Sequence, residues 1–171
     1  MLTLFAEVER QGVDAVVIGC FDDTGLDLLR RKGGIPVGGL GEAGCVMASL
    51  GAPRFHVVTT MAISVPVIEA NIRAMGLTPR CASVRASGVP VLELQTRLSD
   101  VDAAVGAVLA DDPGATVVLG CAGMGRIAPN LRTAAEARLI DPVRAAVTLA
   151  ASVADGAVVA RPSSRRPVPL G

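Results

Sequence analysis

The sequence predicts an α/β protein built from parallel strands joined by helices and arranged as two pseudo-symmetric lobes. Short β-branched runs alternate with helix-length segments rich in Ala, Leu, Glu and Arg, the order that a parallel sheet with crossover helices requires. Two segments also echo each other: Asp14-Ala-Val-Val-Ile-Gly-Cys20 and Ala115-Thr-Val-Val-Leu-Gly-Cys121. Each is an apolar run ending in Gly-Cys and leading through small residues into a helix, so a duplicated unit is expected. The length of 171 residues fits one domain or two small lobes, because domains commonly run to roughly 100–200 residues.

The elements follow in order. Residues 2–11 read as a helix with Leu2, Phe5 and Val8 on its apolar stripe and Gly12 as its stop. Residues 15–18 lack alternation, which predicts a strand buried on both faces. A helix over 25–32 leads to a short strand at 35–37, and a second helix over 42–50 leads to a strand at 55–59. Helices are expected over 65–75 and over 101–109, where Val101, Val105, Val108 and Leu109 share a face. Ser99 and Asp102 have the spacing of a capping box for the latter helix. The strand 116–119 precedes a helix around 129–137, a strand at 138–140 and a last helix over 142–154, opened by Pro142 at its first turn. In lobes, residues 1–48 with 138–160 form the first and 49–137 the second. The Pro- and Arg-rich stretch 161–171 is expected to be a disordered tail.

Composition excludes several classes. Sixteen basic residues balance sixteen acidic ones, and the aromatic residues are three Phe with no Tyr or Trp. Nucleic-acid binding needs a basic field and stacking rings. Apolar runs such as 145–154 are too short to cross a bilayer of about 30 Å, and acids stand where a secretory signal carries Lys or Arg. A soluble cytoplasmic protein is therefore expected. Cys20, Cys45, Cys81 and Cys121 form no C-x-x-C pair, so free thiols are the expectation. His56, the single histidine, sits in an apolar strand and reads as a core residue. With no second histidine, neither a metal cluster nor a Cys-His pair is expected.

In parallel α/β proteins ligands collect at the carboxyl ends of strands, where both Cys20 and Cys121 lie. A helix N-terminus stabilises a thiolate there, and two thiols facing one carbon could serve as base and acid. A lone Cys is usually a small buried hydrophobe, which is the reading for Cys45 and Cys81; the matched pair points to chemistry. Residues 39–44 spell G-x-G-x-x-G. The strand before it is short and holds Pro36, and no Asp or Glu lies in 61–67 to hold a ribose, so a dinucleotide is not expected. The turn at Gly41 and Glu42 instead offers N–H groups to an anionic or carbonyl-rich ligand. Thr59, Thr60 and Ser64 lie at the end of the 55–59 strand, placed either as ligand hydroxyls or as turn and cap residues.

Together, Gly19-Cys20-Phe21 with Gly25-Leu26-Asp27, Ile35-Pro36-Val37 with Gly41-Glu42-Ala43, Val57-Val58-Thr59-Thr60, Cys81-Ala-Ser-Val-Arg85 and Leu119-Gly-Cys-Ala-Gly-Met124 resemble the Asp/Glu/hydantoin racemase superfamily in its hydantoin and allantoin branch. The resemblance covers about residues 5–154. It implies a cofactor-independent racemase, with no metal, whose active site lies in the crevice between the lobes. Its two catalytic cysteines would be Cys20 and Cys121, transferring a proton at C5 of a 5-substituted hydantoin. The amino-acid racemases of the superfamily typically follow their cysteines with Asn-Thr and Thr-Glu. Phe21-Asp22 and Ala122-Gly123 stand here, which favours a neutral cyclic ureide. Expected substrate contacts are Phe21, Gly41, Glu42, Thr59, Thr60, Ala122 and Gly123, and a homo-oligomer is expected. Allantoin or an amino acid is the alternative substrate. The family pattern opens with a strand, an Asn-Pro-Asn-like loop and a helix, of which this sequence begins at the tail. That leaves two further expectations, a start lying upstream or an inactive remnant.

Overall fold

The computed structural model describes residues 2–157, so the expected tail at 161–171 lies outside the described residues. The elements are α1 (Leu2–Arg10), β1 (Val16–Ile18), α2 (Leu26–Lys32), β2 (Val37–Gly39), α3 (Leu40–Gly51), β3 (Phe55–Thr59), α4 (Val65–Ala74), β4 (Cys81–Ala86), α5 (Leu98–Asp111), β5 (Thr116–Gly120), α6 (Met124–Ile127), β6 (Arg138–Ile140) and α7 (Pro142–Ser152). Strands β1 and β2 form a two-stranded sheet, and a second sheet has the order β4-β3-β5-β6. Every pairing is parallel, as the alternation of strands and helices predicts.

The centre of the molecule is β3 and β5. All five residues of each are buried, and their side chains divide between two cores. Val57 and Val118 face α3, α4 and α7 through Ala43, Cys45, Ile68, Ile72, Ala145 and Ala146. Val58, Val117 and Leu119 face α5 and α6 through Val101, Val105, Val108, Met124 and Ile127. This is the two-layer burial that turns a parallel strand into a continuous apolar run. Phe5, Leu26, Leu29 and Val37 make a smaller third cluster around the β1–β2 pair.

Several expectations are corrected. β1 is half-buried along its whole length because β2 is its one partner strand among the described residues; an apolar run specifies an inner strand only where neighbours cover both sides. The expected strand at 35–37 is displaced to Val37–Gly39, since Pro36 has no N–H to give a ladder. The helix expected around 129–137 is replaced by 3₁₀ turns at Ala128–Asn130 and Arg132–Ala135, with Pro129 inside the first. No Ser99–Asp102 capping box forms, for the helix begins at Leu98. Asp102 instead accepts from the Thr133 N–H and hydroxyl and from Arg132 Nε.

The last two elements join the sheets. β6 pairs with β5, so residues 138–140 lie in the sheet built from 49–137. α7 follows, capped by the Asp141 carboxylate, and packs against α3, β1 and β2.

Candidate active site

The carboxyl ends of β1, β3 and β5 carry Cys20, Thr59-Thr60 and Cys121. Both cysteines are free thiols, Cys20 exposed and Cys121 half-buried. They lie close enough that charge on Cys20 acts on Cys121. Burial holds the Cys121 thiol above its ordinary value, the N–H groups of Gly123 and Met124 oppose that by hydrogen bonding to its sulfur, and Cys20 and Asp22 add to the rise. These N–H groups lie at the entry to α6, where the Met124 N–H donates to the Cys121 carbonyl at 3.0 Å. Gly123 leaves this approach open, because a Cβ there would lie 2.9 Å from Leu94 and 3.9 Å from Cys121 Sγ.

The remaining expected contacts separate. Thr59 is buried and its hydroxyl donates to the Gly120 carbonyl at 3.0 Å, so it ties β3 to β5 just before Cys121. Thr60 is buried and accepts the Gly88 N–H through its carbonyl. Phe21 is a core side chain, packed with Leu40, Ala43 and Val118. Ala122 is half-buried against the same core.

The Gly41 and Glu42 N–H groups are not available to a ligand. They donate to the two carboxylate oxygens of Asp23, at 3.0 and 2.7 Å. The Glu42 carboxylate is paired with Arg30, whose Nε also donates to the Val37 carbonyl. A Cβ at Gly39 would overlap the Asp23 carboxylate, one at Gly41 would overlap the Phe21 carbonyl and lie 2.9 Å from Asp23 Oδ2, and one at Gly44 would lie 2.8 Å from Val118. The G-x-G-x-x-G spacing therefore serves internal packing, which is why the string occurs here without the other marks of a dinucleotide site. Asp23 is thus the residue that sequence reasoning missed. The signal was present in Asp22-Asp23 between Cys20 and Gly25, but the partner lies 18 residues away.

The other titratable groups are structural. His56 is held between Ser83 Oγ at 2.8 Å and Asp112 Oδ2 at 3.1 Å, at the opposite end of β3 from Thr59, as its core reading expects. Burial pushes the Cys81 thiol up to about 11 and raises that of Cys45 further. No group of His, Cys, Asp and Glu side chains suited to a metal occurs among the described residues, and no helix there is long and apolar enough to cross a membrane.

Comparisons with known proteins show the family and the fold. A family profile described as Asp/Glu/Hydantoin racemase matches residues 1–150. The hydantoin racemase of Rhizobium meliloti is 39% identical over 158 residues, 88% of this chain and 64% of that protein. The allantoin racemase from Klebsiella pneumoniae superposes with a TM-score of 0.78 at 32% identity, over 89% of this chain and 65% of that one. That of Pseudomonas fluorescens gives 0.74 at 34%, over 83% and 62%. The chain thus spans less than two thirds of the length of these relatives.

Proposed function

The chain belongs to the Asp/Glu/hydantoin racemase family, and from that premise we propose that it racemises 5-substituted hydantoins by proton transfer between Cys20 and Cys121. The observation that supports the reading is the pair of free thiols at echoed Gly-Cys strand ends, near enough that charge on Cys20 acts on Cys121. The C5–H of a hydantoin is flanked by a ring carbonyl, so its loss gives a planar enolate. One cysteine removes the proton as thiolate, and the opposite thiol returns one to the other face, which is general acid–base catalysis with two matched groups. The Thr60 hydroxyl, at the carboxyl end of β3, is the side-chain donor assigned to the enolate oxygen. The two sheets act as two lobes with the substrate in the crevice between them, and no cofactor enters the chemistry.

An apolar C5 substituent fits the rim better than the polar ureido group of allantoin or the charged groups of an amino acid. The loops after β3 and β4 expose Met61, Ile63, Val91 and Leu92, and a Cβ at Gly123 would lie 3.9 Å from both Val91 and Cys121 Sγ. The exposed apolar residues also support association into a homo-oligomer, and four free thiols suit the reducing cytoplasm.

The test is the decay of optical rotation of an enantiopure 5-alkyl hydantoin. Activity is expected in the wild-type protein, and Cys20→Ser and Cys121→Ser should each lose about 10²–10⁴-fold, the usual contribution of a positioned acid or base. Unchanged rates in both variants would overturn the mechanism, and a wild-type protein without activity would overturn the function.

A further inference from the structure

We propose that Asp23 is the positioning residue for Cys20: its carboxylate ties the turn that follows the thiol to the N-terminus of α3, and Gly39 and Gly41 are glycines so that it can. The inference rests on the reading of Cys20 as a proton-transfer group.

Asp23 is the one non-glycine residue with positive φ among the described residues, at 51°. Such a conformation persists where surrounding contacts over-determine it, and here they do. The Asp23 N–H donates to the Cys20 carbonyl at 3.1 Å, its carbonyl accepts the Leu26 N–H at 3.0 Å, and its carboxylate takes the Gly41 and Glu42 N–H groups in the first turn of α3. The side chain is buried. On the other flank, Asp22 accepts from Asn71 Nδ2 through its carbonyl at 2.8 Å and from Ser64 Oγ through its carboxylate at 3.1 Å. Cys20 is itself exposed, so its placement comes from the turn rather than from packing around the sulfur.

The charged and titratable groups facing Asp23 are Glu42 and Arg30, Cys45 on α3 and the neighbouring Asp22. Burial pushes the Asp23 carboxyl up to about 6, against the pull of the Glu42 and Gly41 N–H groups. A solvated Asp titrates near 3.9, so the closed turn binds the proton more tightly than an open one. The turn is then held most firmly below about pH 4, and that extra hold is lost as the carboxylate ionises through about pH 6.

The experiment is alkylation of the folded protein by iodoacetamide between about pH 5 and 7, with Cys20 and Cys121 followed separately by peptide mass spectrometry. Only the thiolate reacts, so below the thiol range both rates climb together and their ratio is flat unless a third group titrates. The expected result is a change in the wild-type Cys20:Cys121 ratio centred near pH 6, absent in Asp23→Asn and Asp23→Ala. The ratio itself should shift by about tenfold in Asp23→Ala and less in Asp23→Asn, which keeps one acceptor oxygen. General loss of stability would raise the rate of half-buried Cys121 and leave that of the already exposed Cys20 nearly as it was, so a ratio that moves through Cys121 alone counts against the proposal. A Cys20 rate that is unmoved in both Asp23→Ala and Asp23→Asn overturns it, and the conservative Asp23→Asn decides if Asp23→Ala does not fold. Alkylation needs no turnover, so a protein that racemises nothing would overturn the function while this ratio still decides the role of Asp23.

Discussion

The two Gly-Cys turns begin from nearly the same sequence and end in different surroundings. Cys121 leaves β5, an inner strand buried along its whole length, and is half-buried with Gly123 and Met124 N–H groups on its sulfur. Cys20 leaves β1, a half-buried strand with one partner among the described residues, and is exposed, its turn tied down by the carboxylates of Asp22 and Asp23. One thiol is placed by the core and the other by hydrogen bonds of its turn. An echo in sequence thus sets where along a strand a residue falls, while neighbouring strands decide what surrounds it.

The sharpest way to break that contrast is at the two glycines that precede the cysteines. A Cβ at Gly120 would lie 2.9 Å from Thr59 Cα and Cβ and 3.1 Å from the Val58 carbonyl. These are largely backbone atoms of an inner strand and cannot rotate away. Gly120→Ala should therefore cost about 3 kcal/mol in urea denaturation, the upper part of the overpacking range. Gly19→Ala meets nothing within 4 Å and should stay within about 0.5 kcal/mol of wild type. Equal losses at the two positions would contradict the contrast.

A smaller effect is expected at the strand tie. Thr59→Ala removes the hydrogen bond to the Gly120 carbonyl and should destabilise by about 1 kcal/mol. The exposed Thr96, whose hydroxyl bonds to the Glu93 carbonyl within its own turn, is the control, and Thr96→Ala should stay within about 0.5 kcal/mol of wild type. Because the tie lies just before Cys121, Thr59→Ala should also change the alkylation rate of Cys121 and leave that of Cys20 as it was. Equal changes at both thiols would blur the distinction between a core-placed and a turn-placed cysteine.

The smallest difference is in titration. Burial favours the neutral thiol of Cys121, so its alkylation should rise at a pH above the ordinary thiol range, near 8.5. A Cys121 profile at or below that range would contradict the reading of its surroundings.

Much of this contrast was legible in the sequence, and the remainder was hidden for physical reasons. The apolar run of β5 announces a buried strand, and both Gly-Cys ends fall at carboxyl ends as expected, while the same signal overstates the burial of β1. What could not be read is what depends on a distant partner. The half-burial of β1 follows from which strands lie beside it. The G-x-G spacing at Gly39 and Gly41 acquires its meaning from Asp23, and the Thr59 hydroxyl from Gly120 across the sheet. Asp102 likewise leaves its local capping role for Thr133 and Arg132. Local spacing reports local options, and burial selects among them.

The central claim is that two cysteines serve the two faces of one carbon. It is tested most directly by racemising a single enantiomer of a 5-alkyl hydantoin in deuterium oxide and analysing both enantiomers early in the reaction. Two separate bases predict that the product enantiomer carries deuterium at C5 while the recovered starting enantiomer retains hydrogen. Deuterium appearing in the starting enantiomer as fast as in the product would show one base acting on both faces and would contradict the account.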